Sequence, residues 1–209
     1  MPRYLREKCL KAWVKAVIKT YGLKLSRDLS QVFMVNCKAL RLMVKLAGIR
    51  AHEDKVLEIG GGIGNLTMFI LRENPRLIRI VEIDKTLANI LRQLFYFDSK
   101  VQVLSRDFTS LKPENYDVIL SNPPYHISSL IILSLTKYRF RRAVLTFQYE
   151  FAERLTAKPY SKDYGSLSVM AQINFNITPS KRVSRTCYYP PPDVDSRILV
   201  LEPKDVNPR

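Results

Sequence analysis

Ser121-Asn122-Pro123-Pro124-Tyr125 is the stretch of this sequence whose residue types and order best suit chemistry. It follows Tyr116-Asp117-Val118-Ile119-Leu120, a short apolar run with the length and composition of a buried strand. Each proline fixes its own φ and lacks an N–H, so the segment makes a stiff shelf at a strand's carboxyl end. Carbonyl oxygens on such a shelf are free to accept from a ligand. A tight turn has the same composition, and what separates the two readings lies upstream.

Upstream, Glu58-Ile59-Gly60-Gly61-Gly62-Ile63-Gly64-Asn65 joins a predicted strand, Lys55 to Ile59, to a predicted helix, Asn65 to Arg72. Glycines between a strand and a helix let the chain turn sharply and let its backbone approach a nucleotide-like ligand. The next strand, Leu77 to Asp84, ends in Val81-Glu82-Ile83-Asp84, which puts a carboxylate where two ribose hydroxyls can donate to it. Asp107, just beyond the third strand (Val101 to Leu104), is placed to receive the exocyclic amine of an adenine. Each acidic residue alone reads as a loop carboxylate, but three at successive strand ends beside a glycine turn describe a binding crevice.

The elements that must position these residues alternate. Helices are predicted at Thr86 to Phe97, Ser129 to Tyr138 and Phe151 to Ala157, and a fifth strand at Ala143 to Phe147. Strand-helix alternation implies a parallel sheet covered on both faces. Ser166 to Thr178 and Arg197 to Leu201 read as two strand-like runs forming an antiparallel pair at the sheet edge. Before the sheet, Cys37 to Ala47 reads as a helix stopped by Gly48, and Leu25 to Asn36 as a loop over a ligand. Tyr4 to Tyr21 reads as a helix ended by Gly22, with Leu10, Trp13, Val14, Val17 and Ile18 on one side and Lys8, Lys11, Lys15 and Lys19 on another. A lysine face is ordinarily solvated surface; docking of RNA is the alternative. The expected organisation is a basic amphipathic helix over 1–24 and one α/β domain over 25–209.

At 209 residues, with 46% hydrophobic and 25% charged residues, the composition is that of a globular protein rather than a disordered one. A net charge of +15 points to a polyanionic partner, nucleic acid before membrane, although a merely basic surface has the same sum. Cys9, Cys37 and Cys187 are odd in number and widely spaced, which argues against a disulfide framework or a zinc site and fits a reducing compartment. No apolar stretch reaches spanning length, and basic residues punctuate the start, so the expectation is a cytoplasmic, monomeric protein with no membrane partner and no metal.

The glycine spacing Gly60, Gly62, Gly64 differs from the Gly-x-Gly-x-x-Gly of NAD sites. With Glu58 before it and Asn-Pro-Pro-Tyr at the fourth strand, the pattern resembles S-adenosyl-L-methionine-dependent methyltransferases acting on exocyclic amines. Within these, the sequence is similar to the ribosomal RNA adenine dimethyltransferases from about Leu25 to Pro203. The further segments carrying the likeness are Gln31-Val32-Phe33-Met34, Gln148 to Leu155, Tyr164-Gly165-Ser166-Leu167-Ser168 and Pro190-Pro191-Pro192-Asp193-Val194-Asp195-Ser196. The last two are more specific to the RNA family than the Asn-Pro-Pro-Tyr block, which DNA adenine methyltransferases share.

The resemblance implies a Rossmann-like class I methyltransferase fold, a mostly parallel seven-stranded sheet with an antiparallel edge hairpin and helices on both faces. It implies cofactor contacts from Gln31, Val32, Met34, Gly60, Gly62, Glu82, Asp107 and Asn122. Catalytic roles fall to Asn122, Pro123, Tyr125 and Tyr188, with Tyr125 stacking on the target base and Tyr188 covering its other face. The implied substrate is two adjacent adenines near the 3′ end of small-subunit ribosomal RNA, within an assembling (pre-30S) subunit. His126 reads as a helix-entry polar group rather than a general base, and Ser128 and Ser129 as N-caps rather than nucleophiles.

Three departures from the family stand out: Ser30 where glycine is usual, Pro123 where Leu or Ile is usual, and no counterpart to the small helical C-terminal domain. Rival readings are the antibiotic-resistance class modifying large-subunit RNA, a DNA adenine methyltransferase, and an RNA-binding ribosome-assembly factor with little turnover.

Overall fold

The computed structural model describes residues 10–23 and 32–204. Gln31, and the residues of the first predicted helix before Leu10, lie outside them. Seven strands form the main sheet: β2 (Lys55–Ile59), β3 (Leu77–Glu82), β4 (Val101–Ser105), β5 (Val118–Ser121), β6 (Arg142–Gln148), β7 (Phe175–Val183) and β9 (Ser196–Pro203). Their order is β4-β3-β2-β5-β6-β9-β7. The first five are mutually parallel, whereas β9 runs antiparallel to both β6 and β7. The antiparallel edge predicted from the sequence is therefore present, with β9 inserted between its two neighbours.

The central strands read as continuous apolar runs because both faces are covered. One core lies on the side of α2 (Cys37–Ala47) and includes Leu40, Met43, Val56, Ile78, Ile80, Val118 and Val144. The opposite core gathers Leu57, Ile59, Ile119, Leu145, Phe147 and Leu199 under α5 (Ser128–Leu135), α6 (Tyr149–Leu155) and α7 (Ser166–Asn174). The alternate residues of β2 and β5 divide between the two, as the period of two demands.

Local signals set the helix ends. In α2 the Asn36 side chain accepts from the Ala39 N–H, and Gly48 closes the helix in the left-handed region at φ 59°. The helix α4 (Lys85–Leu94) is capped by Asp84, which accepts from Thr86 and Leu87. The helix predicted over Asn65 to Arg72 is a short α3 (Thr67–Ile70) continued by a 3₁₀ turn to Glu73.

The run from Ser166 is a correction. Its alternating Leu167, Val169, Ala171 and Ile173 suggested a strand, yet Ser166–Asn174 is helical and the strand begins at Phe175. Ser168 and Ala171, three apart, are the buried pair, while Val169 and Ile173 face solvent. Ser168 Oγ accepts from the Gly165 N–H and donates to the Arg154 carbonyl, which ties the helix start to α6.

A two-stranded antiparallel sheet, β1 (Phe33–Met34) with β8 (Tyr188–Tyr189), pairs Phe33 with Tyr189 and Met34 with Tyr188. The helix α1 (Leu10–Thr20) packs beside it. Leu10 belongs to the α2-side core, and Val14 and Val17 join Phe33, Ile63, Leu87 and Ile90. Among the described residues no helix is long and apolar enough to cross a membrane.

Candidate active site

Strand order reverses between β2 and β5, the point at which an open α/β sheet leaves a crevice beyond its carboxyl ends. Gly60 follows β2 and Asn122 follows β5, so the glycine turn and the shelf are next-door neighbours. Ser121 Oγ donates to the Ile59 carbonyl at 2.6 Å and locks the two strand ends together.

Gly60, Gly62 and Gly64 all have positive φ. At Gly62 (φ 58°) an added Cβ would stand 3.2 Å from the Phe33 ring, so the cofactor-side loop closes directly on that glycine. Gly61 has a different reason to be glycine. A Cβ there would lie 2.3 Å from Ile80 Cγ2, inside the packing between turn and sheet.

A single cavity at these strand ends is lined by Val32, Met34, Gly60, Gly62, Glu82, Asp107 and Asn122. Every residue that the resemblance marked for the cofactor, Gln31 excepted, thus lines one space. Phe33, Asn65, Ile83, Arg106, Phe108 and Leu130 also line it.

Glu82 is buried, and its two oxygens accept from the Gly62 and Asp84 N–H groups at 2.9 and 3.0 Å. Burial pushes its carboxyl above the ordinary range and those two N–H groups pull it back. Each oxygen keeps a second lone pair for a ligand hydroxyl. Asp107 is exposed; its Oδ1 accepts from the N–H and hydroxyl of Thr109. Glu58, beneath the turn, accepts from the Thr67 hydroxyl at 2.6 Å. Burial raises its carboxyl to about 8, a rise the Thr67 bond opposes and the nearby Glu82 adds to.

Asn65 is a pocket residue that the sequence motif contained without a role. Its Nδ2 donates to the Met34 carbonyl, fastening β1 to the glycine turn, while its buried Oδ1 has no partner among the described residues. An orphaned acceptor, three glycines lining the cavity and the Glu82 and Asp107 carboxylates suit a cationic ligand that carries hydroxyl and amine donors. S-adenosylmethionine is such a ligand.

On the shelf, Asn122 Oδ1 accepts from the Thr146 hydroxyl at 2.6 Å, and Thr146 has no exposed surface. Pro123 is buried, and no described residue donates to its carbonyl. Tyr125 is half-buried and its hydroxyl shares a 2.7 Å hydrogen bond with Ser196 Oγ, the last residue of the Pro-Pro-Pro-Asp-Val-Asp-Ser segment. His126 and Ile127 line the cavity mouth. Ser128 Oγ donates back to the Tyr125 carbonyl and so steadies the 3₁₀ turn at Tyr125–Ile127.

Tyr188 departs from its expected place. It is 2% exposed and stands behind the shelf, with its hydroxyl beside those of Tyr125, Thr146 and Ser196 but in well-formed hydrogen-bond geometry with none of them. Its pairing with Met34 holds it there, and in this structure it offers no open face to a base.

Thr146 was not singled out in the sequence. The available signal was a lone hydroxyl inside the apolar run Ala143-Val144-Leu145-Thr146-Phe147, at the level of the shelf.

Residues 22–209 match the Ribosomal RNA adenine dimethylase family. The probable ribosomal RNA small subunit methyltransferase A of Thermococcus sibiricus is 38% identical over 191 residues, covering 91% of this chain and 69% of that protein. A dimethyladenosine transferase from Plasmodium falciparum superposes with a TM-score of 0.74 at 33% identity, over 81% of this chain and 62% of that one. The 23S rRNA methyltransferase ErmE also superposes with a TM-score of 0.74, at 28% identity, over 83% of this chain and 70% of that one. With its sheet order, its glycine turn and its Asn-Pro-Pro-Tyr shelf in one crevice, the chain belongs to the ribosomal RNA adenine dimethylase family.

Proposed function

We propose that this protein dimethylates two adjacent adenines near the 3′ end of small-subunit ribosomal RNA, within an assembling subunit. Family membership carries the coarser part: S-adenosylmethionine as the methyl donor and the exocyclic amine of an rRNA adenine as the acceptor. The observation that carries the reading is the meeting of the glycine turn, Glu82, Asp107 and Asn122 around one cavity. The small-subunit assignment rests on the Thermococcus relative at 38% identity, against 28% for the 23S enzyme.

When bound, the cofactor supplies an electrophilic methyl on a sulfonium. The chain's residues supply position. Glu82 would accept from the ribose hydroxyls and Asp107 from the adenine amine of the cofactor, with Val32, Met34 and Ile83 as apolar walls. The target amine is a weak nucleophile because its lone pair is delocalised into the ring. In the first transfer its two N–H bonds would donate to the Asn122 side-chain oxygen and the Pro123 carbonyl, favouring a pyramidal nitrogen with its lone pair toward the methyl donor. In the second, the one N–H left would donate to one of these two acceptors. Thr146 holds Asn122 through one lone pair of its side-chain oxygen and leaves the other for the amine. These are orientation and electrostatic contributions, and they need no strong base. The target must be unpaired to enter, with the exposed part of the Tyr125 ring replacing its lost stacking.

The test is to incubate the protein with labelled cofactor and separately with unmethylated small subunits, large-subunit RNA and DNA, then map the modified base. Label in N6,N6-dimethyladenine of small-subunit RNA is expected. Label confined to large-subunit RNA or DNA, or cofactor binding with no transfer, overturns the assignment.

A further inference from the structure

The lysines of α1 stand out among the many basic residues of this chain. Lys11, Lys15 and Lys19 are exposed, follow one another every four residues, and share a helix that contains no acidic residue. Like charges at this spacing weaken a helix, so the stripe opposes the stability of the element that carries it. It is also anchored to the site. The ammonium groups of Lys11 and Lys15 lie 5.7 and 5.5 Å from the centroid of the Tyr189 ring. Tyr189 pairs with Phe33, which lines the cofactor cavity and closes on Gly62. The opposite side of α1 holds the helix in place through Val14 and Val17. Two of the three lysines therefore stand one strand away from the cavity wall.

By contrast, the arginines on the other flank of the shelf are already partnered. Arg182 pairs with Asp195 at 2.8 Å, and Arg197 with Glu153. The α1 lysines make no ion pair with any described residue.

We propose that Lys11, Lys15 and Lys19 form a phosphate-docking rail that guides the RNA strand flanking the target adenine to the rim of the cavity. The proposal rests on the RNA-methylating reading above. Successive lysines are ~6 Å apart along the helix axis, comparable with the separation of neighbouring phosphates in an extended single strand. The Tyr189 ring restrains two flexible side chains before RNA arrives, which lowers the entropy lost on docking.

The experiment compares the wild type, a variant carrying Lys11→Gln, Lys15→Gln and Lys19→Gln, and a control carrying Lys45→Gln, Lys112→Gln and Lys137→Gln at exposed positions elsewhere. Binding to a short small-subunit RNA hairpin with an unpaired adenine loop is measured across a salt series, alongside cofactor affinity and methyl transfer. The rail variant should bind RNA roughly tenfold or more weakly near physiological salt, and its slope of log K against log salt should be shallower by about 2, at about 0.7 per lost phosphate contact. Its KM for RNA should rise while cofactor affinity and kcat at saturating RNA stay at wild-type values. The control should lose far less. Equal losses in both variants would make the effect one of net charge, and unchanged affinity and slope in the rail variant would remove the rail; either result overturns it. If the wild type methylates RNA in the same assay, the activity reading survives that failure. A wild type with no salt-dependent RNA binding overturns both.

Discussion

Thr146 donates a 2.6 Å hydrogen bond to the Asn122 side-chain oxygen from a position with no solvent exposure. Donor and acceptor sit at the ends of adjacent parallel strands, where Ser121 and Leu145 are in register. The Asn122 side-chain oxygen has two lone pairs, and the buried Thr146 hydroxyl takes one and leaves the other for a donor on the substrate. Thr146→Val keeps the volume and removes that donor. It should lower kcat about tenfold to a hundredfold, the effect of losing one short hydrogen bond that positions a reacting group. Cofactor affinity should hold, and Thr146→Ser should recover most of the rate. A Val variant with wild-type kcat would show that Asn122 is oriented by something else.

Two glycines of the turn, Gly62 and Gly61, separate in their consequences. Gly62→Ala places a methyl group 3.2 Å from the Phe33 ring at a φ of 58° that side chains resist. Weaker cofactor binding, by about tenfold or more, is expected, together with about 1–2 kcal/mol of lost stability from the left-handed φ. Gly61→Ala instead meets Ile80 at 2.3 Å and Leu91 at 2.9 Å, so it should cost about 1–3 kcal/mol of stability through overpacking. Calorimetry and cofactor titration of both variants check the contrast; equal effects on both readouts would erase it.

Glu58 gives the fold a pH dependence of known sign. In the unfolded chain its carboxyl ionises near 4.5, whereas burial holds it protonated in the folded chain up to about 8. Between these values the folded state retains a proton that the unfolded state has lost, so the stability contributed by this group falls as pH rises from about 4.5 to 8 and levels off above. Glu58→Gln keeps an acceptor for Thr67 and abolishes the titration. Its stability relative to wild type, measured by urea unfolding, should rise across that window. Parallel profiles for the two proteins would mean that Glu58 does not carry the proton.

Tyr188 should tolerate the loss of its hydroxyl, which makes no well-formed hydrogen bond to its neighbours. Tyr188→Phe is expected to keep wild-type activity and stability, while Tyr188→Ala should lose about 3–5 kcal/mol by leaving a cavity beneath the shelf. Severe loss of kcat in the Phe variant, with stability intact, would instead assign the Tyr188 hydroxyl a part in the reaction.

Much of this arrangement is legible in the sequence. The glycine turn, Glu82, Asp107 and Asn122 each end a strand, and strand ends are what periodicity and turn residues mark most clearly in an α/β chain. Local pattern failed where tertiary contact decides. Ser166–Asn174 alternates like a strand but is helical, because Ser168 and Ala171 pack on α6 and Gly165 opens the helix. Tyr188 looked like a base-facing aromatic because it precedes a proline triplet; its pairing with Met34 in a two-residue strand turns it inward. Thr146 carried no motif, since its importance comes from a residue 24 positions away in sequence. The cation–π seat of Lys11 and Lys15 was likewise invisible, because Tyr189 lies far along the chain from α1.

The account turns on Asn122 as the residue that orients the target amine at a cofactor site built by other residues. Its most direct test is cofactor affinity and single-turnover methyl transfer measured side by side for the wild type and Asn122→Ala. The account predicts cofactor affinity within a few-fold of wild type and a transfer rate lower by about a thousandfold or more, beyond the cost of one ordinary hydrogen bond. Transfer at the wild-type rate in Asn122→Ala would contradict it.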